Sequence, residues 1–250
     1  MHVITGTLLA EGDPFIIVLR LEMRKVPKAR LFHDVVRDRR SVRRFLPTPV
    51  PDTVIRSVAD DARHAPSNAN IQPWSVHIVS GATRDALSAA LVEADAAGRV
   101  TPDFPWSYDE LYGVYRQRQV AQAAAYYEAL GLARGAREER RLAMSRNLEF
   151  FGAPHACLLF MPALHDGVRV AGDLGMYAQT FLLSLTAHGL SGVPQTLLGF
   201  YADTIRQVLG IDPAMKMLFG ISFGYPDGSS PASRYRIGKA PVAETVTFYC

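Results

Sequence analysis

The sequence predicts an α+β layer fold rather than a regular doubly wound sheet. Segments with a helical period outnumber the strand-like ones, and helices of uneven length separate the strands. Ala156 to Met161 is apolar without a break, as expected of a strand covered on both faces. With 250 residues, one compact domain is the expected organisation.

The elements follow in order. Phe32, Val35 and Val36 mark a short helix ending near Arg37. Extended backbone comes next, so Arg39, Ser41 and Arg43 point one way and Arg40, Val42 and Arg44 the other. Pro47, Pro49 and Pro51 prolong it, and Asp52 is placed to cap a helix whose apolar face is Val54, Ile55, Val58 and Ala62. Trp74 to Val79 reads as a strand closed by Ser80-Gly81, and Asp85 to Ala97 as an alanine-rich helix. Between residues 98 and 115 periodicity fades while aromatics accumulate. This fits a lid or binding loop, and equally an aromatic cluster that fastens a loop to the core. Helical patterns resume over 116–132 and 136–151. After the apolar strand, Asp173 to His188 is a long apolar helix expected at the centre. Gly189 to Thr196 reads as an irregular glycine- and proline-containing turn. Asp203 to Leu209 is a short helix ended by Gly210, and Met215 to Phe223 is a further strand. Thr245 to Tyr249 is strand-like but isolated, which suggests pairing with a distant sheet edge, in this subunit or another.

Composition narrows the function classes. Hydrophobic content of 48% and charged content of 20% are ordinary for a folded soluble chain, and a net charge of +3 is too small to imply nucleic acid. Cys157 and Cys250 cannot form a disulfide framework, so the chain reads as cytoplasmic. The seven histidines have no metal-ligand spacing, and no metal is expected. Residues 1–30 read as an N-terminal extension, too short and too charged to span a membrane, and residues 31–250 as the folded domain.

Four stretches carry chemistry. Arg37 to Arg44 places five arginines in eight residues, and guanidinium forks match phosphate oxygens bidentately. Taken alone, the stretch reads more readily as a solvated basic turn or nucleic-acid patch. Pro66-Ser67-Asn68-Ala69-Asn70, followed by Gln72-Pro73-Trp74, offers hydroxyl and amide groups beside a large ring, but it also suits a plain polar loop. Gly189 to Thr196 can leave backbone N–H groups pointing outward, or can simply end a helix. Ser233 to Pro241 adds cations near the C-terminus.

Together and in this order, the four resemble the nitroreductase family of FMN-dependent oxidoreductases. The strongest marks are Arg39-Arg40-Ser41-Val42-Arg43-Arg44-Phe45, Ala65 to Trp74 and the closing Lys239-Ala240-Pro241. Phe150 to Pro154, Gly189-Leu190 with Pro194-Gln195, and Phe223 to Pro226 look like a longer-chain bacterial branch. The resemblance implies an α+β nitroreductase-like fold with a central antiparallel-rich sheet, in a homodimer that exchanges its C-terminal segments. It implies that Arg39, Ser41 and Arg43 contact FMN and that Ser67, Asn68 and Asn70 form a cradle for the partner's flavin. Pro194, Gln195 and Thr196 would supply a backbone N–H facing flavin N5, and Arg236 and Lys239 would hold the phosphate. Many relatives carry an acidic residue where Thr196 stands, and an arginine where Lys239 stands.

The implied activity is hydride transfer from NADH or NADPH to bound FMN, then reduction of a small planar acceptor, nitroaromatic or quinone-type, with ping-pong kinetics. Phe104, Trp106, Tyr108 and Tyr112 are the residues expected to line the acceptor pocket, and no catalytic triad is expected. Ene reduction, dehalogenation, flavin breakdown and non-catalytic FMN binding are the alternatives in the same fold.

Overall fold

The computed structural model describes residues 30–250, so the expected extension, apart from Arg30, lies outside the described residues. Four strands form one antiparallel sheet in the order β1-β2-β4-β3, where β1 is Ser75–Ser80, β2 His155–Pro162, β3 Ser191–Gln195 and β4 Met215–Gly224. This is the antiparallel-rich α+β architecture expected.

The central strand β2 explains why its sequence is apolar throughout. Ala156, Leu158 and Phe160 face one hydrophobic cluster, whereas Cys157, Leu159 and Met161 face the other. Helices cover both faces, so alternation in position is not accompanied by alternation in polarity. On one side lie α3 (Gly81–Ala96) and α7 (Ala202–Leu209), contributing Leu87, Leu91, Ala202 and Ile205. On the other lie α2 (Asp52–Ala62) and α6 (Val168–Ala187), contributing Ile55, Val58, Leu174, Phe181 and Leu185. Each fully buried Leu or Phe in such a core contributes about 1.5–3 kcal/mol of transfer free energy.

The expected elements stand, with shifts at their ends. The first helix, α1, spans Phe32–Asp38. Asp52 is the first residue of α2 rather than its cap, because Pro51 holds the extended cap conformation (φ −57°, ψ 138°). The two helices after the aromatic-rich segment are α4 (Gly113–Ala129) and α5 (Arg137–Ser145). The expected continuation of α5 to Phe151 breaks into a short turn, with Phe150 and Phe151 both in the left-handed region (φ 54°) and both fully buried.

One expectation about strands is corrected, and another finds no pairing within the single chain. Gly189 to Thr196 is not an irregular turn throughout, since Ser191–Gln195 pairs with β4 as an edge strand. Pro194, which cannot donate to a ladder, is tolerated there because edge strands have an unpaired side. Gly192 packs closely under α6: a Cβ on it would lie 2.9 Å from Leu182 Cδ2 and 3.0 Å from Leu185 Cδ1, so those leucine ends would have to shift. Thr245 to Tyr249 forms no strand in the single chain. Val242–Thr245 is a one-turn helix, and Phe248 and Tyr249 are 77% and 93% exposed. A β-branched, aromatic tail has strand propensity but needs a neighbour to pair with.

Candidate functional site

The arginine segment runs beside the edge of the sheet. Ser41 forms a parallel bridge with Gly192 of β3, and Phe45 an antiparallel one with Pro226. Val42 and Phe45 anchor this extended chain in the core. With Val42 buried, Arg39, Ser41 and Arg43 are directed to the opposite side, where they line a cleft of about 810 Å³. That lies within the range of small-molecule and cofactor sites, about 300–1,000 Å³.

The closing segment completes the cleft. Tyr235, Arg236 and Lys239 reach it from the C-terminal end, and Pro194 reaches it from β3. Arg37 and Arg40 also line it, but among the described residues no aspartate or glutamate does. Some of these cations are held in place. Arg40 Nε donates to the Ser233 carbonyl at 2.9 Å, and Arg236 donates to the Arg37 carbonyl at 3.3 Å and lies 3.6 Å from an Asp38 oxygen. Arg43 donates to the Tyr235 hydroxyl and lies over the Tyr126 ring, 5.0 Å from its centroid. Arg39 and Lys239 have no side-chain hydrogen bond or ion pair among the described residues. Burial lowers the pKa of the Arg39 guanidinium, as expected where charge is not fully solvated.

A pocket with several cations, no carboxylate and a half-buried guanidinium suits a dianionic phosphate monoester. Its remaining walls fit the rest of FMN. Val36, Leu182 and Ile237 are apolar, while the Gln122 and Gln179 amides can each donate and accept hydrogen bonds.

The sequence model of the nitroreductase family matches residues 36–225, which is most of the described chain. This chain belongs to the nitroreductase family. It is 45% identical over 223 residues to nitroreductase NfnB of Mycolicibacterium smegmatis, covering 89% of this chain and 94% of the relative. It is 32% identical over 229 residues to a 4-nitrobenzoate reductase of a Nocardioides strain, covering 89% and 92%. The crystal structure of the FMN-dependent NfnB from Mycobacterium smegmatis in complex with NADPH superposes with a TM-score of 0.84, covering 87% of this chain and 97% of that one. An FMN and NADPH-dependent NfnB from sphigopyxis sp. strain HMH superposes at 0.85 with 27% identity, covering 88% and 100%.

Not every residue expected in the nitroreductase site meets at this cleft. Gln195 is nearly fully buried, and its side chain is consumed by structure: Nε2 donates to the Asn147 carbonyl at 2.9 Å, and Oε1 accepts from the Ser222 hydroxyl. Only its backbone is left for a ligand. Thr196 is exposed and begins the 3-10 turn Thr196–Phe200.

Ser67, Asn68 and Asn70 do not line the cleft. Their loop is well ordered by its own contacts. Asn68 N–H donates to the buried Asp173 carboxylate at 3.1 and 3.3 Å, and Ser67 Oγ accepts from Gln72 N–H at 2.9 Å. Ala69, Asn70 and Gln72 all take positive φ (49°, 57° and 48°), a conformation that needs such support.

The four aromatics expected to line the acceptor pocket are also absent from this cleft. Phe104 packs on the α6 side of the core, Trp106 and Tyr108 meet edge to face at 4.4 Å, and Tyr112 is 74% exposed. The sequence reading missed Gln122, Gln179 and Tyr235. Gln179 had one signal available, as a polar residue inside the apolar run of α6.

Proposed function

We propose that this nitroreductase is an FMN-dependent NAD(P)H oxidoreductase that reduces nitroaromatic or quinone-type acceptors. The observation that carries this is the convergence of Arg39, Ser41 and Arg43 with Arg236 and Lys239 on one cleft that, among the described residues, no carboxylate lines. Bound there, FMN supplies the two-electron chemistry, accepting hydride from NAD(P)H and returning electrons to the acceptor.

The chain binds and tunes. Arg39 and Lys239, uncommitted within the described residues, hold the phosphate, and Ser41 adds a neutral hydrogen bond. Gln122 and Gln179 fix orientation, and Val36, Leu182 and Ile237 keep water from that wall. Arg43, held by Tyr235 and Tyr126, provides fixed positive charge that stabilises anionic character developing nearby. The backbone of Pro194 to Thr196 borders the ring, with Gln195 and Thr196 providing N–H groups. Donor and acceptor use the same opening in turn, which gives ping-pong kinetics.

The active unit is a homodimer in which Ser67, Asn68 and Asn70 complete the partner's site. The strained loop, held in place by Asp173 yet not lining the arginine cleft of its own subunit, supports this. Phe104, Trp106, Tyr108 and Tyr112 act on the acceptor only in that assembled state. Among the described residues no helix is long and apolar enough to cross a membrane. NADPH is the donor to test first, since NfnB from Mycobacterium smegmatis is seen in complex with it.

The purified protein is expected to be yellow, to bleach with NADPH without oxygen, and to regain colour on adding 4-nitrobenzoate or a quinone. A colourless protein that FMN cannot reconstitute would overturn the proposal.

A further inference from the structure

A second cavity lies beyond the cleft, on the other side of Arg43. It measures about 480 Å³ and lies between the C-terminal end of α4, helix α5 and the one-turn helix α8 (Pro231–Arg234). Its apolar walls are Tyr126, Leu130, Leu132 and Leu142. Its charged walls are Arg43, Arg44 and Arg146, opposed by the single carboxylate of Glu139.

The three guanidiniums differ in how far they are satisfied. Arg43 is tied to the Tyr235 hydroxyl, and Arg44 lies 3.9 Å from Asp227. Arg146 has no side-chain hydrogen bond or ion pair among the described residues, and its Nε is buried without a partner. That buried Nε is out of a ligand's reach, but the terminal nitrogens of Arg146 are neither buried nor bonded among the described residues, so they are available to pair with an anion entering the cavity. Leucines and a tyrosine ring around that charge are suited to a flat hydrocarbon body rather than to a bare inorganic ion.

We propose that this cavity binds a small aromatic monocarboxylate, with Arg146 pairing the carboxylate and Tyr126, Leu130 and Leu142 enclosing the ring. Because Arg43 lines both cavities, the occupant sits one side chain from the FMN cleft and can alter it.

Calorimetric titration of the full-length protein, without donor or acceptor, tests this with benzoate, benzamide and inorganic phosphate as probes. Benzoate is expected to bind, with benzamide and phosphate each weaker by about ten-fold or more. Arg146→Gln is expected to weaken benzoate by about ten-fold, whereas Arg63→Gln, exposed beyond the end of α2 and on neither cavity, leaves it unchanged. Leu142 is half exposed at the cavity wall, so Leu142→Trp should fold and block benzoate even if Arg146→Gln does not fold. Benzoate binding kept in both Arg146→Gln and Leu142→Trp would overturn the proposal. So would phosphate binding as well as benzoate, or no binding at all. None of these readings depends on flavin chemistry, so failure here is separable from failure of the proposed activity.

Discussion

Asp103 receives both terminal nitrogens of Arg206, at 2.6 and 3.1 Å, with both side chains almost completely buried. Asp103 also accepts from Met217 N–H at 2.8 Å, and Lys216 stands 3.5 Å away. Burial pushes the Asp103 carboxyl up, but these hydrogen bonds and cations outweigh it and leave the pKa below its ordinary value. Together with the Thr101 bridge to Tyr201, this pins the start of the aromatic-rich segment to α7 and β4. Any lid movement is therefore confined to the part beyond Phe104.

Without Asp103, Arg206 would keep Asp203 at 2.6 Å and the Met215 carbonyl at 3.0 Å, so the cost should fall below that of a fully stranded buried charge, about 3–5 kcal/mol. Asp103→Ala should lower the thermal midpoint accordingly and raise amide exchange across 98–104. A folded state pKa below the unfolded one means the contribution is present above the unfolded value and is lost as pH falls through the folded one. Acid titration of the wild type should thus show a loss near the carboxylate range that Asp103→Ala lacks.

His155 gives a second pH dependence, at a different place. Its Nε2 accepts from Val50 N–H at 2.9 Å, so Nδ1 carries the proton and donates to Ser80 Oγ. The ring stacks on Phe223, and burial lowers its pKa against the opposing pull of Asp52. Protonating Nε2 would turn an acceptor toward a donor. The stability held by the neutral ring is complete above about pH 6.5 and declines as pH falls below it. Urea midpoints measured from pH 7.5 to 5 should fall for the wild type, and fall less for His155→Gln, which retains an acceptor but does not titrate.

How much of this could be read from the chain depends on which forces decide each element. β2 was legible because burial on both faces leaves an unbroken apolar run, and α6 because its buried side is long and apolar, although Met176 and Gln179 lie on an exposed side. β3 was not: Ser191-Gly192-Val193-Pro194-Gln195 has little strand propensity, and its conformation comes from pairing with β4 and from α6 pressing on Gly192. The tail 245–249 is the opposite case, with strand propensity but no partner within the single chain, so only a second subunit could pair it. Within the site, alternation about buried Val42 put Arg39, Ser41 and Arg43 on one side, and all three line the cleft, but so does Arg40, which alternation sent the other way. Gln122 and Gln179 reach the cleft from two helices remote in sequence, a meeting that only packing creates.

Arg39 offers the most direct test of the cleft. A charge-assisted hydrogen bond contributes about 1.5–3 kcal/mol, so Arg39→Gln should weaken FMN binding by roughly ten- to a hundred-fold. Fluorescence quenching of FMN during titration measures this. An unchanged dissociation constant would remove Arg39 from the site. Since the arginine is only half-buried and already lines open space, its loss should leave the thermal midpoint of the flavin-free protein nearly unchanged.

The homodimer reading can be tested with two defective subunits. Arg39 lines the cleft of its own subunit, whereas Asn70 lies on the separate loop held by Asp173 through Asn68. Arg39→Gln and Asn70→Ala homodimers should each bind FMN poorly. In a heterodimer of the two, the Asn70→Ala subunit still has an intact Arg39, and the Arg39→Gln subunit still has an intact cradle to lend it. One complete site is then restored, and the purified mixed dimer should carry about one strongly bound flavin per pair of chains, with matching NADPH oxidation. If the cradle instead served its own subunit, each site of the mixed dimer would keep one defect and no activity would return. Differently tagged subunits, co-expressed and purified through both tags, make the comparison with the two parent homodimers.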